Sequence, residues 1–126
     1  MKINIASNEV IHFIGIGGIG MSGLAQIMYN MGFTIQGSDS SKNKNTERLT
    51  KKGMAVYFGH HQKNVKQATM IVISSAIKKN NEELIASKKR KLPIFKRGEM
   101  LANIVALKKN IVIAGSHGKT TTTSLL

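Results

Sequence analysis

The fold of this chain is decided by one stretch, Val10-Ile11-His12-Phe13-Ile14-Gly15-Ile16-Gly17-Gly18-Ile19-Gly20. Its first five residues form a short apolar run that ends at a glycine, as a buried parallel strand does. The glycines fit the pattern G-x-G-x-x-G, and apolar residues then recur at helical spacing from Gly20 to Met31. A strand, a glycine loop and a helix in this order predict the opening of a βαβ unit.

The remaining sequence continues the alternation of strands and helices. We predict strands over 33–36, 54–58, 69–73, 92–95 and 111–114, and helices over 46–52, 81–89 and 97–107. This order indicates an α/β fold with a Rossmann-like, doubly wound parallel sheet. We expect one Rossmann-like domain over 1–108, followed over 109–126 by the first strand and P-loop of a truncated ATP-binding domain.

Composition excludes several other classes of protein. The 126 residues contain no cysteine, so disulfide frameworks and thiolate metal sites are excluded. No apolar run approaches the roughly 20 residues that span a bilayer, and the first ten residues lack the apolar core of a signal peptide. The net charge of +13 comes from scattered lysines with few aromatic residues among them, which favours a solvated surface over a nucleic-acid site. We therefore expect a cytoplasmic protein with no nucleic-acid or membrane partner.

The first glycine loop predicts a site for a nucleotide diphosphate. Glycines let backbone N–H groups approach phosphate oxygens at the positive end of a helix, and we expect a side chain at Gly17 or Gly18 to block that approach. Asp39 lies 19 residues beyond Gly20, where an acidic residue commonly accepts hydrogen bonds from ribose hydroxyls. The alternative is a turn needed only for strand–helix packing, with Asp39 as a helix cap. The loop alone does not select NAD as the ligand.

A second glycine loop follows the apolar run 111–114 and has the strand–loop–helix order of a P-loop. Backbone amides from Gly115 onward would cradle phosphates, Lys119 would supply a cation, and a threonine hydroxyl would reach Mg²⁺. Ile113 stands where the strict pattern has its first glycine, and a chance Gly-Lys-Thr turn is the alternative. Leu126 falls about two turns into the helix expected after the loop. We therefore expect the chain to be a fragment of a longer enzyme.

Six motifs together resemble the Mur ligase family: GIGGIGMSG at 15–23, GSD at 37–39, GHHQKN at 59–64, VISSAI at 72–77, IFKRGEMLA at 94–102 and GSHGKTTTTS at 115–124. The resemblance implies an ATP- and Mg²⁺-dependent ligase of peptidoglycan biosynthesis, and thus of cell-wall formation, cell shape and cell division. Such an enzyme phosphorylates the lactyl carboxylate of UDP-N-acetylmuramate, and the amine of L-alanine then attacks the acyl phosphate. Because this piece would lack most of the ATP-binding domain and all of the amino-acid domain of such an enzyme, we expect it to be inactive alone and to hold no cofactor tightly.

The same resemblance implies which residues bind each substrate. The UDP part would contact Gly17, Gly18, Ile19, Gly20, Met21, Ser38, Asp39, His60, Asn64, Ser74, Ser75 and Ala76. ATP would contact Gly115, Ser116, His117, Gly118, Lys119, Thr120 and Thr121, with Lys119 as the catalytic residue and Thr120 or Thr121 on Mg²⁺. Either of the adjacent histidines His60 and His61 could face the ligand.

Three other functions stay open at this point. An NAD(P)-binding domain of an oxidoreductase would explain the first loop and Asp39 but leaves the second loop without a role. A related ligase could attach a whole peptide to UDP-N-acetylmuramate instead of L-alanine. A nucleic-acid-binding module rests on charge alone. Neither the oligomeric state nor the full-length sequence follows from these residues.

Overall fold

In the computed structural model, which describes residues 8–116, five strands and four α-helices alternate along the chain. They are β1 (Val10–Ile14), α1 (Ile19–Asn30), β2 (Thr34–Asp39), α2 (Lys44–Lys51), β3 (Ala55–Phe58), β4 (Met70–Ile73), α3 (Glu82–Lys89), β5 (Ile94–Lys96) and α4 (Arg97–Ser116), with a 3-10 helix at Gln62–Val65 between β3 and β4.

The five strands form one parallel sheet in the order β3-β2-β1-β4-β5. Ile14, the last residue of β1, lies beside Ser38 of β2 on one side and Ile73 of β4 on the other. Chain connections leave β1 in opposite directions on its two sides, so the carboxyl ends of β1 and β4 flank the switch point where such sheets bind ligands. The predicted doubly wound parallel sheet is confirmed.

Helices cover both faces of the sheet because successive side chains of its central strands point to opposite faces. Phe13 packs with Met28 of α1, Leu49 of α2 and Met100 of α4 in one buried cluster. On the other face Ile14, Ile71, Val65 and Leu84 form a second cluster under α3 and the 3-10 helix. The sheet is therefore an inner layer, and its carboxyl edge is the part left open to a ligand.

One predicted element is wrong. The apolar run 111–114 was expected to form a strand, but it lies within α4, which continues from Arg97 to Ser116. A strand needs a neighbour to satisfy its backbone N–H and C=O groups, whereas a helix satisfies them within its own segment. The five-stranded sheet of residues 8–116 does not include this run, and the helix meets the requirement locally. The predicted boundary between the two domains, after residue 108, lies inside α4, which continues across it without a break. The boundary therefore stays a prediction.

The loop after β1 is folded so closely onto β2 that Gly37 has no room for a side chain. A Cβ atom at Gly37 would lie 2.5 Å from Cδ1 of Ile16 and 2.7 Å from the backbone oxygen of Phe13. The second atom belongs to the central strand and cannot move aside. Glycine at this position is what lets Ile16 of the loop pack directly against β2.

We predict opposite effects for two glycine-to-alanine changes. Gly37→Ala should destabilise the protein by about 2 kcal/mol or more, because overpacking against fixed atoms is costly. Gly23→Ala, in the exposed middle of α1 where nothing lies within 4 Å of the added atom, should stabilise it by about 0.5–1 kcal/mol. Urea unfolding of both variants measures the difference. Equal stability of the two variants would contradict the packing described for Gly37.

Candidate functional site

A cleft of about 480 Å³ opens at the carboxyl ends of β1 and β4. It is lined by the glycine loop, the end of β2 and the segment that joins β4 to α3. Its residues are Gly15, Gly17, Gly18, Asp39, Ser40, Asn43, His60, Ser74, Ala76, Ile77, Lys78, Asn80 and Asn81. The cleft therefore occupies the switch point of the sheet.

The start of α1 faces this cleft without a side-chain cap. Its N-cap is Gly18, which offers no side chain, and no acidic residue lies in the first turn. The N-caps of α2 and α3 are Asn43 and Asn81, and both accept hydrogen bonds from backbone N–H groups of their helices. No hydrogen bond in the described part of the chain engages the N–H groups at 19–21. These N–H groups and the helix dipole suit an anion.

The glycine loop is held in place by polar side chains. Oδ2 of Asp39 accepts a hydrogen bond from the N–H of Gly17 at 2.7 Å. The side-chain amides of Asn43 and Asn45 donate to the carbonyl of Gly17 at 3.2 and 3.0 Å. Asp39 therefore fixes the loop in this structure, in addition to lining the cleft.

Gly17 and Gly18 were both expected to leave the backbone amides open to phosphate, but packing within the protein requires glycine at only one of them. A Cβ atom at Gly17 would lie 2.7 Å from Oδ2 of Asp39 and 2.9 Å from Cγ2 of Thr46, so packing within the protein already requires glycine there. At Gly18 the nearest atom would be 3.6 Å away, an ordinary contact distance. Gly18 is thus the position where a side chain would enter the cleft without disturbing the fold.

Arg97 places a cation beside the start of α1. A Cβ atom at Gly20 would lie 2.8 Å from Cδ and 3.0 Å from Nε of Arg97, so this side chain lies across the first turn of the helix. Its guanidinium adds positive charge next to the free N–H groups. Sequence reasoning did not single out Arg97, because the first residue of α4 meets the first turn of α1 only in the folded chain.

Beneath the cleft, a buried polar network centres on Glu83 of α3. Its Oε1 accepts hydrogen bonds from Nε2 of His12 at 2.7 Å and from the hydroxyl of Ser38 at 2.6 Å. Its Oε2 accepts from the side-chain amide of Asn64 at 2.8 Å and from the N–H of His61 at 3.1 Å. Glu83 and His12 are fully buried. The carboxylate therefore joins β1, β2, α3 and the loop after β3.

The partners in this network fix the protonation of its members. The amide nitrogen of Gln36 donates to the backbone oxygen of Asn64 at 2.8 Å and to Nδ1 of His12 at 2.7 Å. Nδ1 of His12 is therefore an acceptor, and Nε2 carries the proton that reaches Glu83. Burial alone would raise the pKa of Glu83, but the hydrogen bond from His12, the electrostatic attraction of His12 and the hydrogen bonds from Ser38 and Asn64 outweigh burial and hold the pKa below its ordinary value. Glu83 is thus an ionised acceptor.

The structure divides the residues that the sequence assigned to UDP. Those that line the cleft are Gly17, Gly18, Asp39, His60, Ser74 and Ala76. The side chains of Ser38 and Asn64 are buried below it in the Glu83 network. Ile19 is 89% exposed at the start of α1, and Met21 is buried under that helix. Of the two histidines, His60 lines the cleft and His61 is exposed beside it.

The residues assigned to ATP lie at or beyond the end of the described segment. Gly115 and Ser116 fall in the last turn of α4, whereas His117, Gly118, Lys119, Thr120 and Thr121 lie outside residues 8–116. Within the described residues no group of three or more His, Cys, Asp or Glu side chains could hold a metal ion. The helices described there are also too short or too polar to cross a membrane.

Sequence reasoning missed the centre of the polar network. His12, Gln36 and Ser38 are polar residues within buried strands, and a buried polar side chain needs a hydrogen-bond partner. That pattern is a usable signal that these side chains meet polar partners in the folded chain. Glu83 itself gave no such signal, because it lies beside Glu82 at the polar start of a helix and is 71 residues from His12 in sequence.

A doubly wound sheet with a glycine-lined cleft at its switch point is the architecture typical of nucleotide-binding domains. Residues 10–109 match the model of the Mur ligase family, catalytic domain. The chain belongs to the Mur ligase family. This membership confirms the resemblance seen in the motifs.

Individual relatives agree with the family assignment. The chain is 66% identical to the UDP-N-acetylmuramate–L-alanine ligase of Pelagibacter ubique over all of this chain and 27% of that protein. It is 55% identical to the ligase of the same name from Bartonella bacilliformis over 93% of this chain and 25% of that protein. The chain thus spans about a quarter of the length of these curated relatives.

Two solved structures share the fold. The UDP-N-acetylmuramate-alanine ligase of Thermotoga maritima superposes with a TM-score of 0.76 at 28% identity, over 79% of this chain and 23% of that one. The UDP-N-acetylmuramate:L-alanyl-gamma-D-glutamyl-meso-diaminopimelate ligase of Neisseria meningitides gives a TM-score of 0.69 at 30% identity, over 74% of this chain and 30% of that one.

We predict that Glu83→Gln destabilises the fold by about 3 kcal/mol near neutral pH. The two carboxylate oxygens of Glu83 accept four hydrogen bonds, whereas a glutamine side chain has only one acceptor oxygen. The matched control is Glu82→Gln, whose exposed carboxylate accepts only the N–H of Gln62 among the described residues, and it should change stability by less than about 0.5 kcal/mol.

The same pair of variants tests the ionisation of Glu83. A lowered pKa contributes stability that is present above the ordinary value of 4.5 and is lost as pH falls through the folded-state value. The difference in unfolding free energy between the native protein and Glu83→Gln should therefore shrink in acid. Urea titrations from neutral pH to below pH 4 measure it. A difference that grows as the pH falls would show that Glu83 is not an ionised acceptor.

Proposed function

We propose that this chain is the UDP-N-acetylmuramate-binding part of an ATP-dependent ligase that joins L-alanine to that substrate in peptidoglycan biosynthesis. The observation that carries the proposal is the uncapped start of α1, which faces the cleft at the switch point while α2 and α3 have asparagine caps. The diphosphate would lie against the N–H groups at 19–21, and the cleft would hold the nucleoside.

Charge and shape support a diphosphate at this place. The helix dipole contributes roughly half a positive charge at the start of α1. Arg97 lies across the same turn, and Lys78 is among the residues that line the cleft. The carboxylate of Asp39, which would repel phosphate, is engaged by the N–H groups of Gly17 and Ser40. An anion at the start of α1 therefore meets more positive than negative charge.

The choice of L-alanine over a peptide rests on the relatives. Those named for L-alanine ligation reach 66% and 55% identity. The solved structure named for a ligase of a tripeptide shares 30% identity. The solved structure named for L-alanine ligation shares 28% identity, so the solved structures do not separate the two reactions. We therefore assign L-alanine from the curated relatives.

The remaining assignments belong to the same proposal. ATP and Mg²⁺ would be bound by residues 115–121, the first two of which end α4, with Lys119 on the phosphates and Thr120 or Thr121 on the metal ion. Residues 1–108 would form the UDP-sugar domain, and 109–126 would open the ATP-binding domain. Because ATP is a substrate, we place the enzyme in the cytoplasm.

Gly18→Val tests the diphosphate site. The backbone at Gly18 has φ −66° and ψ 155°, which any residue adopts, so the fold should persist with a small loss for an apolar N-cap. The valine side chain would keep phosphate oxygens from the free N–H groups and raise the Kd for UDP at least about tenfold, since hydrogen bonds to charged groups are lost. Calorimetric titration with UDP measures this effect.

The control for this titration is Gly23→Ala, which changes a glycine of the same helix away from the cleft and should bind UDP as the native protein does. NADH serves as the competing ligand and should not bind. Unchanged UDP affinity in Gly18→Val, or binding of NADH without binding of UDP, would contradict the proposed site.

A further inference from the structure

His60 has one ring nitrogen in the polar network and is also one of the residues that line the cleft. Its Nδ1 lies 3.0 Å from the hydroxyl oxygen of Ser38 and 3.8 Å from Oε2 of Glu83. The side chain is 22% exposed and lies among the cleft residues. Among the described residues, no hydrogen bond engages its Nε2. The ring thus connects the buried network to the open site.

The direction of the hydrogen bond between Ser38 and His60 follows from the one proton that a serine hydroxyl carries. The hydroxyl oxygen of Ser38 lies 2.6 Å from Oε1 of Glu83. An ionised carboxylate only accepts, and the lowered pKa of Glu83 keeps it ionised, so the hydroxyl proton of Ser38 goes to Glu83. The oxygen of Ser38 can then only accept, and Nδ1 of His60 must be the donor.

We propose that Glu83 is a positioning residue which, through Ser38, keeps His60 protonated on Nδ1 and presents its Nε2 to the cleft as a hydrogen-bond acceptor. Glu83 also favours a proton on Nδ1 of His60 directly, because its Oε2 lies 3.8 Å from that nitrogen and attracts the proton there.

The orientation of His60 determines which ligand group it recognises. An acceptor nitrogen pairs with an N–H or O–H donor, such as the imide of a uracil base or a sugar hydroxyl, and not with a phosphate oxygen. The identity of this ligand rests on the proposed function. His60 would then contribute to recognition of the nucleoside, through the base or a ribose hydroxyl, while the start of α1 binds the diphosphate.

The tautomer of His60 can be measured without any ligand. Two-dimensional ¹H–¹⁵N NMR of the side chains, in mildly alkaline buffer, separates a protonated ring nitrogen from an unprotonated one. We expect His60 of the native protein to carry its proton on Nδ1, whereas a free histidine side chain favours Nε2. A native His60 protonated on Nε2 overturns the proposal, and this result needs no variant that folds.

A pair of variants then tests the role of Glu83. Glu83→Leu removes both acceptor oxygens and frees the proton of Ser38, so His60 should shift toward the form protonated on Nε2. Glu82→Leu makes the same change at the neighbouring exposed residue and should leave His60 as it is in the native protein. An unchanged tautomer in folded Glu83→Leu overturns the role of Glu83.

Ligand binding tests the acceptor itself. His60→Phe keeps a ring in place but removes Nε2, and it should weaken UDP binding about fivefold, the effect of one neutral hydrogen bond, while leaving inorganic pyrophosphate unaffected. His61→Phe should change neither affinity. Equal loss of both ligands, or no loss of UDP, overturns recognition by His60. Failure of the native protein to bind UDP would instead overturn the proposed function. The role of Glu83 would still be decided by the tautomer of His60 in the native protein and in Glu83→Leu.

Discussion

The ionised carboxylate of Glu83 is the constraint on which the cleft depends. It is fully buried, and its two oxygens accept hydrogen bonds from His12, Ser38, Asn64 and the backbone of His61. A buried charge is tolerated only when its partners are correctly placed, because an unpaired one costs several kcal/mol. The carboxylate therefore requires two strands, α3 and the loop after β3 to keep one arrangement under the ligand site.

In the cleft above this network, some residues hold the glycine loop in place and others leave the start of α1 open to a ligand. The sequence alone did not distinguish these two roles. Asp39 and the two asparagines after it hold the glycine loop by its Gly17 peptide, and Gly18 leaves the start of α1 open. The N–H and C=O groups of Gly17 are paired, whereas the N–H groups of the next turn lie unpaired within the described chain. A preformed arrangement of this kind lets an anion bind without first ordering the loop.

Much of the fold could be predicted from local patterns, because apolar runs, helical spacing and glycine turns act over a few residues. The network could not, because it pairs His12 with a residue 71 positions away, and the pairing depends on a strand register that no short stretch reveals. Ser38 and Asn64 were accordingly assigned to the ligand, although their side chains serve Glu83. The run 111–114 was taken for a strand because a short apolar segment has no period that separates strand from helix.

The central claim, that the start of α1 binds the diphosphate of a UDP-linked substrate, is tested most directly by backbone NMR of the protein titrated with UDP. The account predicts that the amide signals of Ile19, Gly20 and Met21 shift most strongly and become protected from hydrogen exchange. Unchanged signals at these amides, with the largest shifts at residues remote from the carboxyl ends of β1 and β4, would contradict it.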